Sequence, residues 1–281
     1  MENRTPAEIL AYTSDTGCAK TQRKISAVLI LSFLAGAFIS FASLGTNAMA
    51  YNLLANPNTF GLGRALAGAG FGTGLMLVSL GGGELFTGNM LIIVSVLERR
   101  VKVRRMLLNW LLVYLGNFAG CLCLVFMVHH SGLFNSADGM LGGVMIKTAV
   151  NKTSLPFHSA FFLGVMCNWL VCMAVWVSSG ARDITGKILA IFFIVGLFVV
   201  SGFEHSVANM YYIPAGILAK QNSLWQALSG SSTAELSRLN WTHFFTKNLI
   251  PVTLGNIAGG SIMVGVLYWF SLGKAKPREE M

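Results

Sequence analysis

Residues 25–45 run for 21 positions without a charged side chain, and five more apolar runs of membrane-crossing length follow. A bilayer core about 30 Å thick needs roughly 20 helical residues to cross. Composition agrees with that reading. Of the 281 residues, 54% are hydrophobic and 11% charged, with mean hydropathy +0.64; a soluble domain carries about 25% charged residues. The chain therefore reads as an all-α, polytopic membrane protein with the lipid bilayer as its solvent. A secreted disulfide scaffold, a nucleic-acid-binding domain and an ordinary soluble enzyme are excluded. The net charge of +9 sits in short loops rather than on a nucleic-acid-binding face. The five cysteines, Cys18, Cys121, Cys123, Cys167 and Cys172, lack metal-ligand spacing and read as small apolar fillers.

Six spans are predicted, at 25–45, 65–97, 106–128, 157–178, 188–214 and 249–272. The first begins after Arg23-Lys24 and lacks a small-residue cleavage pattern, so it reads as an uncleaved helix. Residues 1–24 form an N-terminal segment in which Thr5-Pro6-Ala7-Glu8 is a capping box with proline at the first helical position. A short interfacial helix is expected to follow, to about Ala19. The second run has 33 residues with Glu84 its sole charge, and the fifth has 27. Both are too long for one straight crossing. Gly81-Gly82-Gly83 with Thr87-Gly88-Asn89, and Ser201-Gly202-Phe203-Glu204-His205, mark the expected breaks. Lysine and arginine number 14 on the side of the two tails and six on the other, placing both termini, including the 273–281 tail, in the cytoplasm.

The chain repeats internally. Leu115-Gly116-Asn117-Phe118-Ala119-Gly120 returns as Leu254-Gly255-Asn256-Ile257-Ala258-Gly259. Gly83-Glu84 through Asn89-Met90 returns as Gly202-Phe203-Glu204 through Asn209-Met210. The expectation is a 25–272 channel domain built of repeats 25–128 and 157–272. Three spans is an odd number, so the second copy enters the membrane upside down. Inverted repeats with breaks at matching places point to a transport site near the bilayer midplane. The repeated glycines also suit close helix packing.

Charge inside a membrane is costly and must face protein, a cavity or a partner. Glu84 and Glu204 are expected to accept from backbone donors freed at the breaks, with direct contact to a permeant as the alternative. Asn117 and Asn256 join Glu84 as expected supports of the breaks. His205 adjoins the second break and is the strongest candidate for permeation, as neutral donor or as imidazolium. Thr87, Asn209 and Glu204 complete the expected central site. Two other readings were weighed. An aquaporin-like pore for neutral solutes needs a selectivity arginine and paired Asn-Pro-Ala boxes; Arg64 alone lies near such a place and no such box occurs. A membrane enzyme would rest on Ser206 beside His205, which point in different directions on a helix. No catalytic group, cofactor, metal set or phosphate-binding loop is indicated.

Glu84-Leu85-Phe86-Thr87-Gly88, Cys167-Asn168-Trp169-Leu170-Val171-Cys172, the stretch from Ser201 to Met210, and Val252-Thr253-Leu254-Gly255-Asn256 resemble the formate/nitrite transporter family over nearly the whole chain. The resemblance implies an aquaporin-like six-helix protomer in a homopentamer of the cell inner membrane, with a pore in each protomer. It also implies that Leu75, Leu85 and Phe198 line an inner constriction and Phe71, Phe86 and Val171 an outer one. His205 and Thr87 would lie between them, Asn168 beside the histidine and Lys152 at the extracellular mouth. The implied partners are small monovalent anions: formate, nitrite or hydrosulfide. Gly88 is more like the nitrite and hydrosulfide branches, and the overall pattern resembles the hydrosulfide branch.

Overall fold

The computed structural model describes residues 3–273, and every regular element among them is helical. Six helical runs are long and apolar enough to cross a membrane: α2 (Ile25–Ala55), α3 (Phe60–Gly81), α5 (Val103–His130), α7 (Phe157–Gly180), α8 (Ile184–Ser201) and a last run, Trp241–Leu272. Most of the 273–281 tail, with its three basic residues, lies outside the described residues.

The N-terminal helix α1 (Pro6–Gln22) begins where its capping box places it. Thr5 Oγ1 accepts from the Glu8 N–H at 3.4 Å, and the Glu8 carboxylate accepts from the Thr5 N–H at 2.7 Å. One side of α1 packs on the rest of the protein. Ile9, Leu10, Ser14 and Gly17 are buried against protein. Ser95 donates to the Ser14 carbonyl at 2.8 Å, Arg100 pairs with Asp15 at 2.7 Å, and Arg4 donates to the Ser179 carbonyl at 2.6 Å. Polar bonds, rather than an apolar face turned to lipid, hold α1 in place.

The first span is ten residues longer than expected, because Thr46 and Asn47 are satisfied inside the protein: Thr46 Oγ1 donates to Ala42 at 2.8 Å and Asn47 to Met145 Sδ at 3.2 Å. In the second run α3 stops at Gly81. Residues 82–87 leave the helix before a short 3-10 turn, Gly88–Leu91, and α4 (Ile92–Leu97). In the fifth, α8 stops at Ser201 and α9 (Ser206–Ala219) starts after four non-helical residues. Gly82 (φ 92°) and Gly202 (φ 77°) close α3 and α8 in the left-handed conformation that glycine adopts without penalty. Three further helices lie between the predicted spans: α6 (Met140–Thr153), α10 (Ser223–Leu228) and α11 (Thr233–Arg238).

The repeated glycines allow two close crossings. Gly116 and Gly120 of α5 abut Ser32 and the Phe33 carbonyl of α2. Gly255 and Gly259 of the last run abut the Phe161 and Val165 carbonyls of α7. A valine at 120 would run into the Phe33 backbone, whereas Gly45 faces open space. Gly120→Val is therefore expected to cost about 2 kcal/mol or more, read as a lower unfolding temperature in detergent, with Gly45→Val near wild type. Donation from the Thr5 N–H and hydroxyl holds the Glu8 carboxyl below its ordinary value of 4.5. That contribution to the start of α1 is present above the ordinary carboxylate range and lost as pH falls through the lowered value. Protection of the amides of residues 5–12, read as exchange relative to the intrinsic rate at each pH, should fall on acidification, and Thr5→Ala should bring that loss of protection to neutral pH.

Candidate functional site

Where α3 and α8 stop, two asparagines take the backbone groups left free. Asn117 Oδ1 accepts from the Phe86 N–H at 2.9 Å, while its Nδ2 donates to the Ser32 and Glu84 carbonyls at 2.8 and 2.9 Å. Asn256 Oδ1 accepts from the Ser206 N–H at 2.9 Å, and its Nδ2 donates to the Gly164 and Glu204 carbonyls at 2.8 and 3.0 Å. The backbone follows the same plan: the Glu84 N–H donates to Leu31 at 3.1 Å and the Glu204 N–H to Leu163 at 3.2 Å.

The glutamate side chains do other work, which corrects the expectation that they would accept from backbone donors. Glu84, fully buried, takes Lys20 at 2.9 Å, Arg23, and the Asn89 amide at 2.8 Å; Asn89 also donates to Asn109 at 2.9 Å. Glu204 takes Lys152 at 2.8 Å, Asn209 at 2.6 Å and Asn248 at 3.2 Å. A buried carboxylate is tolerable only with partners of this kind. Lys152 is thus bound to Glu204, with its ammonium 5.3 Å from the Tyr212 ring centre. Asn209 spends its amide on Glu204 and on Asn248, the latter at 2.7 Å.

Between the two clusters lies His205. Its Nδ1 accepts from the Ala208 N–H at 3.0 Å, capping α9, and its Nε2 is 3.0 Å from Thr87 Oγ1. The Nδ1 bond fixes the neutral tautomer, with the proton on Nε2 directed at Thr87. Thr87 is held from behind: its carbonyl accepts from Asn168 at 3.2 Å and Cys172 Sγ at 3.3 Å. Asn168, fully buried, also donates to the Asn256 carbonyl at 2.7 Å, so it positions Thr87 rather than lining a vestibule. The Phe198 ring stacks near His205 at 6.1 Å, and Phe71 meets both Phe198 (5.5 Å) and His205 (6.4 Å) edge-on. Phe71 and Phe198 both stand beside the His205 ring. Leu75 and Leu85 line a cavity of about 300 Å³ on the α1 side. Phe86 turns elsewhere, against Tyr114 at 4.7 Å and into a groove shared with Trp110 and Thr253. Val171 is buried on α7, within one turn of Asn168 and Cys172.

The formate/nitrite transporter family model matches residues 7–270. The chain belongs to the formate/nitrite transporter family. Formate channel FocA of Haemophilus influenzae is 37% identical over 265 residues, covering 93% of this chain and 92% of that protein. FocA of Escherichia coli K12 is 36% identical over 271 residues, with 94% and 93% covered. Among solved structures, a pentameric formate channel with formate bound superposes with a TM-score of 0.77 at 36% identity, covering 89% of this chain and 98% of that one. An ion channel of the same family reaches 0.78 at 26% identity, covering 94% and 98%. These relatives are channels or transporters, and this member is a multi-pass membrane protein.

Sequence reasoning missed Lys20, Arg23, Asn109 and Asn248. A signal for the two asparagines was present, since each stands eight positions before the asparagine at a break: Asn109 before Asn117, Asn248 before Asn256. In this family member, Asn256→Leu strands the Ser206 N–H and two carbonyls in a dry interior. We expect a loss of roughly 3 kcal/mol or more, read as a depressed unfolding temperature; an unchanged value would contradict the anchoring role.

Proposed function

We propose that the protein is a channel for small monovalent anions of weak acids, with the permeation path passing His205 and Thr87. The observation that carries this reading is the 3.0 Å contact between His205 Nε2 and Thr87 Oγ1, buried among Phe71 and Phe198 where both interrupted runs meet. In this reading the chain consists of two inverted three-helix repeats, 25–128 and 157–272, flanked by a cytoplasmic N-terminal segment and tail. The matched bonds of Asn117 and Asn256, and of Glu84 and Glu204, support that symmetry. A homopentamer in the cell inner membrane is proposed from the pentameric relative and from the basic residues gathered on the side of the tails.

An anion arriving at the outer mouth meets the Lys152 ammonium, whose donors are shared with Glu204. It sheds water at the apolar side chains, which exclude strongly hydrated ions. At the centre the neutral imidazole donates to Thr87, leaving the threonine hydroxyl proton free for the anion. Making His205 an imidazolium puts a proton on Nδ1, where Ala208 N–H now donates, so charging the ring costs the α9 cap. The geometry therefore favours conduction past neutral donors over proton transfer from the ring. Formate is the first substrate to test, because the relatives above are formate channels. Hydrosulfide, whose branch the overall pattern resembles, and nitrite complete the class. Arg64, which a neutral-solute pore would need free in its lumen, instead donates to the Val199 carbonyl at the end of α8 at 3.3 Å.

Flux of formate, nitrite, hydrosulfide and chloride into proteoliposomes between pH 5 and 8 tests the assignment. Wild-type protein should pass a weak-acid anion faster than chloride. Thr87→Val and His205→Phe should each cut that flux about tenfold, the scale of one hydrogen bond to a charged group. Unchanged flux and pH dependence in His205→Phe would remove the histidine from the path, and shrinkage kinetics showing ready glycerol entry would favour a neutral-solute pore.

A further inference from the structure

The cavity beneath α1 is too large and too basic to serve only as an entrance for a three-heavy-atom anion. It encloses about 300 Å³, and a water's share of liquid volume is about 30 Å³, so roughly ten waters fill it. Its walls carry Arg4, Lys20 and Arg23 from the N-terminal segment, Lys187 from α8, and a single carboxylate, Glu84.

The two buried glutamates show how far this charge exceeds what the fold requires. Glu204 is satisfied by one ammonium, Lys152, together with asparagine amides. Glu84 has the corresponding asparagine and two cations, Lys20 and Arg23, so one positive charge is surplus. Arg4 donates to the Ser179 carbonyl, lies over the Tyr12 ring and shares its charge with the Glu8 carboxylate of the same segment. Lys187 is half-buried and makes no ion pair among the described residues. Asp183, one turn before it, caps α8 through the Gly186 N–H at 2.7 Å and makes no ion pair with Lys187 among the described residues.

We infer that this cavity binds a compact polyvalent oxyanion of the phosphate or diphosphate class, held between Lys187 and the cations of the N-terminal segment. A monovalent permeant can engage only part of this set, whereas a polyanion gains a charge-assisted bond from each wall. The ligand bridges α8 to the segment carrying α1. By linkage its occupancy stabilises the docked position of α1 and fills the space in front of Leu75 and Leu85. The effect on flux rests on the channel reading; the binding itself does not.

Calorimetry on the full-length protein in phosphatidylcholine nanodiscs, with diphosphate as probe and chloride at matched ionic strength as control, reads the site directly. Diphosphate should bind above the chloride background. Lys187→Gln should weaken it about tenfold, as expected for one charged hydrogen bond, and Lys187→Arg should retain it. Adding phosphatidylglycerol separates the sources: undiminished binding marks a soluble ligand, and competition marks a lipid headgroup as the occupant of the same site. In proteoliposomes, diphosphate on the α1 side should slow formate flux and diphosphate on the opposite side should not; Lys187→Gln should escape the block with its basal flux unchanged. Diphosphate binding no stronger than chloride, or equal binding by wild type and Lys187→Gln, would overturn the site. Absence of formate flux in any sample would count against the channel reading and leave the calorimetric answer standing.

Discussion

A helix that stops inside a dry, packed interior leaves N–H and C=O groups that no water can satisfy, and the arrangement of this protein follows from how two asparagines meet that demand at the ends of α3 and α8. Asn117 and Asn256 each accept one N–H and donate to two carbonyls, tying the end of an interrupted run to a neighbouring helix. They reach because glycines immediately before them and about one turn after allow α5 and the last run to lie against α2 and α7. With the ends tied, residues 84–87 and 204–206 have defined positions, and Thr87 meets His205 across the junction.

Charge is arranged around the same points. Each buried carboxylate is matched by lysine and by asparagine amides, so the membrane interior holds paired rather than isolated ions. The two clusters are alike in plan and unlike in provision. Asn89 Oδ1 accepts from Lys20 at 2.6 Å, whereas Asn209 Oδ1 is buried without a partner. Basic residues outnumber acids beneath α1, and Lys152 stands alone with Glu204 at the other end. On the proposed channel reading, an anion would meet different fields at the two ends of the path, with neutral donors between them.

Much of the fold was legible because apolar length and its interruptions are direct consequences of the bilayer. The 33-residue second run and 27-residue fifth run could not be single straight crossings, and the helices stop within the glycine-containing stretches the sequence marks. The capping box at Thr5 read correctly because its chemistry is local. What failed depended on tertiary partners. The Glu84 and Glu204 side chains turned to cations and asparagines, because the asparagine amides had already taken the free backbone groups. Helix α1 is tied to protein through Arg4, Ser14 and Asp15, partners distant in sequence. Lys20 and Arg23 looked like flanking positive charges, and nothing local reveals that they fold back onto Glu84. Helix α6 was hidden in a segment too polar for a span and too rich in glycine to show a clear period.

The proposed permeation path runs past the hydrogen-bonded pair of Thr87 and His205. A high-resolution electron microscopy map of the full-length protein in nanodiscs, collected with and without saturating formate, tests it directly. Formate-dependent density within hydrogen-bonding reach of Thr87 Oγ1, with the His205 ring in contact with that threonine, is the expected result. A map in which the second and fifth runs cross without interruption, or in which the imidazole faces lipid or a subunit seam, would contradict it.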